Sequence, residues 1–250
     1  MAGTELAVLD SNALAAMGYT EQELIDAHGV IGLEAARPED FQIPRLQLAQ
    51  AMSPQLVRSK AEYIPGLMVG QYYNTVTQEI YGDTIKVVPV RYNFSRLLFV
   101  DNRLKCQSRN GVDGGSESPT CDVCPHSKWG TGKEGNGTAC MEYRNWLVLE
   151  AATGQPMSMS FKSASLVVAK TWATLISGRK IKLPGGTSVP APAFATIYEL
   201  RSVEKQTPKG TFFIPAVRVV GPAETDTMRV AADLFRAFKG ELSDMAGHEE

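Results

Sequence analysis

A mainly β fold of the α+β class, with a few helices, is predicted by three features of the 250-residue sequence. From residue 43 onward, short runs rich in β-branched and aromatic residues alternate with turn residues. A helical period replaces this pattern once in the middle of the chain and again near the C-terminus. The turns between successive runs are short enough for neighbouring strands to pair antiparallel.

The predicted strands form two groups, one on each side of a helix. The first group comprises Leu67–Tyr73, Thr84–Tyr92, Phe94–Val100, Arg144–Ala151 and Met157–Phe161. An amphipathic helix is then predicted over Ser163–Ser177, and a hairpin of Phe194–Val203 with Phe212–Val220 follows. This order of several strands, one helix and two closing strands predicts an OB-fold-like antiparallel β-barrel. The plan of an OB-fold is three strands, a helix and two closing strands. An open α+β sheet with the same elements is the alternative, because closure depends on register and strand tilt.

The chain divides into three regions by composition. Residues 1–41 are predicted to form an acidic helical arm, in which Thr20 and Glu23 make a capping box. Residues 42–222 form the predicted barrel core, with a zinc insertion at 103–143. Residues 223–250 supply a C-terminal helix and a short acidic tail.

Charge is distributed unevenly along the chain, although the overall net charge is only −2. Residues 1–41 carry a net charge of −7 and residues 224–250 a net charge of −4. Residues 42–223 hold 21 basic and 12 acidic side chains, a net charge of +9. A surplus of positive charge in residues 42–223 favours an anionic partner. The alternative interpretation is a solvated surface on which the charges are segregated by chance.

The four cysteines of the chain lie within one 35-residue stretch, with the spacing C-x14-C-x2-C-x15-C. They are Cys106, Cys121, Cys124 and Cys140. The segment between them is rich in Gly, Ser and Asn and cannot build its own hydrophobic core, so a metal ion is a sensible way to order it. The spacing therefore predicts a structural Zn²⁺ site with these four ligands.

Three other uses of these cysteines remain open at this point. Two disulfides need the same even number of thiols, and redox or iron–sulfur chemistry also uses clustered cysteines. His126 is an alternative ligand in place of one sulfur. Four sulfur ligands leave no open coordination position, so the predicted zinc is structural and not catalytic.

Basic and aromatic residues interleave on the predicted strands and around the cysteines. Binders of single-stranded nucleic acid need both types, because cations track the phosphates and exposed rings stack on bases. The predicted binding surface consists of Lys86, Arg91, Tyr92, Phe94, Arg96, Arg103, Lys105, Arg109, Lys128, Trp129, Arg144 and Trp146. The alternative for any single ring is a place in the hydrophobic core.

Signatures of catalysis are missing from the sequence. It has no Walker A loop, no G-x-S-x-G elbow and no H-E-x-x-H motif. The acidic residues of the basic body show no paired spacing of the kind that holds Mg²⁺ in nucleases. We therefore expect a protein without enzymatic activity.

Several blocks of the sequence resemble a group of small tailed-phage proteins described as single-stranded DNA-binding. The blocks are Ile43–Leu48, Gln50–Pro54, Cys106–Gly111 and Cys121–Trp129, and the resemblance extends over about residues 43–220. It implies sequence-nonspecific binding of single-stranded DNA in phage replication, recombination or transcription.

The wider plan is similar to that of the zinc-containing OB-fold helix-destabilising proteins of T-even phages. That resemblance implies a metal subdomain inserted between barrel strands, a basic cleft with aromatics, and an acidic C-terminal region that recruits replication partners. The T-even pattern has a histidine among its zinc ligands and a longer acidic tail, whereas this chain supplies four cysteines.

A second class of function is also consistent with the sequence. A zinc-containing transcription cofactor or protein-interaction module would use the acidic ends to hold RNA polymerase, replication or recombination proteins. The sequence has no leader-like N-terminus and no apolar run of ~20 residues, so we expect a cytoplasmic protein, in the host cell if phage-encoded, with no membrane partner.

Overall fold

The structure is a computed structural model that describes residues 42–208 and 210–237, together with residues 18, 20, 32, 33, 35 and 40. The predicted helix after Thr20, most of the acidic arm and the tail beyond Ala237 lie outside these described residues. Among the described residues, no helix is long and apolar enough to cross a membrane.

Eleven strands and two α-helices make up the described part of the chain. The strands are β1 (Leu46–Leu48), β2 (Tyr72–Asn74), β3 (Ile80–Gly82), β4 (Thr84–Val100), β5 (Arg103–Ser108), β6 (Cys140–Glu150), β7 (Pro156–Lys162), β8 (Lys180–Lys182), β9 (Ser188–Pro190), β10 (Thr196–Thr207) and β11 (Gly210–Pro222). The helices are α1 (Leu166–Ser177) and α2 (Thr225–Ala237). Short 3-10 turns lie at Pro54–Leu56, Pro125–Ser127, Lys133–Gly135, Ser163–Ser165 and Ala193–Ala195.

The central sheet has the strand order β11-β10-β4-β6-β7, and all of its pairs are antiparallel. Strand β4 is long enough to have three partners. Its start, Thr84–Val87, pairs with β10, its end, Arg96–Val100, pairs with β5, and β6 runs along its other edge. Two small sheets, β1-β2-β3 and β8-β9, complete the described fold.

Hydrophobic residues cover both faces of the central sheet. On one face, Val87, Trp146 and Tyr198 pack with Trp172 of α1 in the larger core. On the other face, Val88, Val90, Leu147 and Leu149 pack with Ala231 of α2. Alternate residues of one strand thus enter different cores, as the two-residue period of a strand requires.

No sheet of the described residues closes into a barrel. The predicted closed barrel is therefore not confirmed, whereas the mainly β, antiparallel architecture is. The segment around β1 nevertheless contacts both edge strands of the central sheet, β7 and β11. The backbone N–H of Ser158 on β7 donates to the carbonyl of Pro44, and the side-chain amide of Gln50 bonds the N–H and the carbonyl of Phe213 on β11.

Several predicted elements need correction. The two strands predicted as Thr84–Tyr92 and Phe94–Val100 are the single strand β4, because Asn93 pairs with Asn145 and continues the ladder. Most of the predicted strand Leu67–Tyr73 is loop, since β2 begins only at Tyr72. Strand β5 belongs to the central sheet, although the sequence places Arg103–Ser108 at the start of the insertion.

Candidate nucleic-acid interface and cysteine cavity

Five residues from the end of β4 and the facing part of β6 form one cluster on the α1 side of the central sheet. Phe94 pairs with Arg144 and Arg96 with Glu142, while Tyr92 lies one pair further along. Residues two apart on a strand point to the same face, so the five side chains lie in adjacent rows. We refer to Tyr92, Phe94, Arg96, Glu142 and Arg144 as the arginine–aromatic cluster.

Arg144 makes most of the contacts in this cluster. Its guanidinium carbon lies 3.8 Å from the centroid of the Phe94 ring. One terminal nitrogen donates to the hydroxyl of Tyr92 at 2.8 Å, and the other lies 3.5 Å from the carboxylate of Glu142. Arg96 also donates to Glu142 and lies 5.5 Å from the Phe94 centroid. Two cations thus share one carboxylate and one ring.

The three predicted stacking rings of this region differ in exposure. Tyr92 is 41% exposed, so part of its ring can contact a ligand. Phe94 is covered by Gly111, since a Cβ at that position would lie 2.2 Å from its ring. Trp146 is only 3% exposed and stacks on Trp172, with the ring centroids 4.6 Å apart. The prediction of a binding surface that includes Trp146 therefore needs correction, because a core ring cannot stack on a base from solvent.

Lys86 and Arg91 lie on the opposite, α2 side of the central sheet. Lys86 is exposed and pairs in register with Glu199 of β10. Arg91 lies with its guanidinium carbon 5.5 Å from the centroid of Phe235 in α2. The structure thus separates these two predicted residues from the arginine–aromatic cluster.

The remaining predicted residues lie on β5 and on the segment between β5 and β6, which we call the cysteine lobe (residues 103–139). Arg103, Lys105, Arg109 and Lys128 are all exposed. The ammonium group of Lys105 lies 3.5 Å from the carboxylate of Glu117, and that of Lys128 donates to the carbonyl of Asp122. Trp129 is 83% exposed.

Cys106, Cys121, Cys124 and Cys140 line one cavity, together with Leu98 and residues of the cysteine lobe. Cys106 on β5 and Cys140 on β6 both pair in register with Leu98 of β4. With a strand spacing of ~4.8 Å, their Cα atoms are roughly 10 Å apart. Four thiols that are distant in the sequence are thus brought to one cavity.

Local hydrogen bonds bring Cys121 and Cys124 to this cavity. The backbone N–H of Cys121 donates to the carbonyl of Val112 at 2.8 Å, which closes a small hairpin in the cysteine lobe. After Cys124 the chain makes the 3-10 turn Pro125–Ser127, and the Ser127 hydroxyl donates back to the Cys124 carbonyl at 2.8 Å. Gly115 packs against Cys106, where a Cβ would lie 2.7 Å from the sulfur.

All four cysteines are free, so no disulfide joins any two of them. Burial raises the pKa of the Cys140 thiol to about 11; Arg96 opposes this shift, and Cys121, Cys106 and Cys124 add to it. In the part of the chain that the structure describes, no three or more His, Cys, Asp or Glu side chains are placed to hold a metal ion. The four thiols that line the cavity are soft donors of the type that zinc prefers.

His126 does not line the cysteine cavity. Its Nε2 atom lies 3.7 Å from the carboxylate of Glu117, which also contacts Lys105. In this arrangement His126 contacts Glu117 on the surface of the cysteine lobe and is not directed at the four thiols.

A second group of cations was missed in the sequence analysis, and a simple count would have found it. Residues 151–198 contain no acidic side chain. The basic side chains of that stretch are Lys162, Lys170, Arg179, Lys180 and Lys182. The last three lie at or in the β8–β9 hairpin, which the sequence analysis did not predict.

The chain matches the family described as Pam3 phage gp34-like protein over residues 15–243. The matched region covers more than nine tenths of the 250-residue chain. No curated protein and no solved structure matches the chain. The extent of the family match decides the assignment: the chain belongs to the Pam3 phage gp34-like protein family and is therefore a phage protein.

Proposed function

We propose that this protein is a non-enzymatic, sequence-nonspecific single-stranded DNA-binding protein that acts in phage DNA replication, recombination or transcription in the host cytoplasm. The observation that supports this most is the 83% exposed indole of Trp129, next to Lys128 on a lobe with four further exposed cations, Arg103, Lys105, Arg109 and Lys133. A ring this exposed contributes little to the hydrophobic core, and its free face is suited to stacking on a base.

The topology of the central sheet supports the same proposal. Strands β4, β6 and β7 form a meander, α1 follows, and the hairpin β10–β11 returns to pair with β4. We propose that this connectivity is that of an OB-type barrel left open between β7 and β11. OB-type sheets bind oligonucleotides on one face and through their loops.

We further propose that the cysteine lobe holds a structural Zn²⁺ ion through Cys106, Cys121, Cys124 and Cys140. The support is the convergence of all four thiols on one cavity. Zinc would order the lobe that presents Lys128 and Trp129, and it would take no part in a reaction.

The experiment for the DNA-binding proposal is a fluorescence-anisotropy titration of labelled oligo-dT with the wild-type chain and with Trp129→Ala. We expect the substitution to weaken binding by about 1–3 kcal/mol, or roughly 5- to 150-fold, because it removes one stacking platform. Val123→Ala is the matched control, since Val123 is a 62% exposed apolar residue of the same lobe without a π-face. Equal affinities of Trp129→Ala and wild type would contradict a stacking role.

A second candidate function has its own supporting observation. The cysteine lobe exposes three large apolar side chains, Val112, Val123 and Trp129, and a contiguous patch of such groups would mark a protein-binding surface. The alternative is a zinc-containing cofactor that binds RNA polymerase or replication proteins. Binding of purified polymerase by a chain that has no affinity for oligo-dT would favour this alternative over the first.

A further inference from the structure

The β8–β9 hairpin is a distinct arm of the molecule. Lys180–Lys182 pairs only with Ser188–Pro190, in a two-stranded sheet separate from the others. Residues 180–188 are all exposed. The base of the arm is closed by the N–H of Ala191, which donates to the carbonyl of Arg179 at 2.9 Å.

Local sequence explains why the chain folds back at this point. The N–H of Gly186 donates to the carbonyl of Leu183, and the N–H of Leu183 donates to the carbonyl of Thr187, both at 2.8 Å. Pro184 fits the first central position of such a turn, and Gly186 takes the positive φ of 84° that follows it. The tip is therefore a defined three-residue loop.

The two faces of this arm differ in chemistry. Lys180 and Lys182 share one face because side chains alternate along a strand. Ile181 and its cross-strand partner Val189 share the other face. Val189 is less exposed than its neighbours Ser188 and Pro190, whereas Ile181 is 41% exposed, and both lysines of the opposite face are exposed.

All charged side chains in the sequence of the arm and its flanking segments are basic. No acidic side chain occurs between residues 151 and 198, so neither strand of the hairpin offers a carboxylate to the lysines. An isolated two-stranded hairpin is marginally stable, and this one buries little surface. A cationic arm with this composition is complementary to a chain of phosphates.

We propose that the β8–β9 hairpin is a second contact element for nucleic acid, in which Lys180 and Lys182 bind backbone phosphates of single-stranded DNA. The inference rests on the proposed DNA-binding function and adds a surface to it. The cysteine lobe would stack bases through Trp129, and the hairpin would bind phosphates without reading sequence.

The test is the salt dependence of oligo-dT binding by the full chain and by the variant Lys180→Ala/Lys182→Ala. Each phosphate contact to a single strand contributes about 0.7 to the slope of log Kobs against log salt. We therefore expect the slope of the double variant to be less steep than wild type by about 1.4. The variant Lys180→Arg/Lys182→Arg keeps both charges and should keep the wild-type slope.

A double substitution at Arg58 and Lys60 to alanine removes the same charge from two exposed positions outside the hairpin and serves as the control. If wild type binds and the hairpin variant keeps both its affinity and its slope, the hairpin inference is overturned while the proposed function stands. An equal decrease of the salt slope in the Arg58/Lys60 control also overturns the hairpin inference, because the decrease is then explained by the change in net charge alone. Absence of binding by wild type contradicts both proposals.

Discussion

The guanidinium of Arg144 lies over the ring of Phe94, with 3.8 Å between its central carbon and the ring centroid. Gly111 of the cysteine lobe covers the same ring, since a Cβ there would lie 2.2 Å from it. Phe94 thus links the central sheet to the lobe that carries the cysteines. The lobe is anchored by this contact and by the pairing of its strand β5 with β4.

The first prediction concerns this contact and uses the substitution Gly111→Ala. The φ angle of 69° is unfavourable for alanine, and the new methyl group would collide with the Phe94 ring. We expect a loss of about 2–4 kcal/mol in the free energy of unfolding, the sum of backbone strain and overpacking. Chemical denaturation measures it.

The control for this prediction is Gly154→Ala. Gly154 has a similar φ of 72°, but a Cβ there has nothing within 4 Å. The Gly154→Ala substitution should lower the free energy of unfolding only by the cost of backbone strain, about 1 kcal/mol. Equal losses at the two positions would mean that the Phe94 contact adds nothing.

The second prediction concerns pH and the pair of Glu199 with Arg218. Arg218 donates two hydrogen bonds to the Glu199 carboxylate, and these bonds lower its pKa below the ordinary value of 4.5. A carboxyl with a lower pKa in the folded chain stabilises the fold above its unfolded pKa, and this contribution is lost as pH falls through the folded pKa.

We therefore expect wild type to be more stable than Glu199→Gln near neutral pH, and the difference to shrink below about pH 4.5. Urea denaturation at a series of pH values measures it. Glu204→Gln, an exposed position on the same strand, is the control for loss of one negative charge. A difference that stays constant down to about pH 2 would contradict the assignment.

The third prediction concerns the proposed metal. Cys121→Ser should abolish stoichiometric Zn²⁺ binding, and chelation of wild type should lower its melting temperature, because the cysteine lobe then loses its central constraint. Metal analysis and thermal melting measure the two effects. Ser118→Ala alters another residue that lines the same cavity and should keep its zinc. Metal-free wild type with unchanged melting would refute the zinc proposal.

The order of strands and helices was predictable because local patterns determine it. The predicted helix Ser163–Ser177 and the predicted C-terminal helix correspond to α1 and α2, and the predicted hairpin of Phe194–Val203 with Phe212–Val220 corresponds to β10 and β11. Closure of a barrel was not predictable. It depends on whether β7 reaches β11, and here the segment around β1 lies between them.

The candidate site was predictable in residue type but not in exposure. Charge and spacing identified Trp129 and Lys128, which are exposed, and the four cysteines, which meet at one cavity. The same pattern selected Trp146, which is in the core, because alternation alone does not say which face is covered by a helix.

The most direct measurement of the central claim is the affinity of the wild-type chain for oligo-dT as a function of salt concentration. If cations of the cysteine lobe bind phosphates, log Kobs should fall linearly with log salt, with a slope of about −0.7 for each phosphate contacted. Affinity for duplex DNA of the same length should be weaker, because paired bases are not available to Trp129. Undetectable binding, or binding that does not change with salt, would contradict the account.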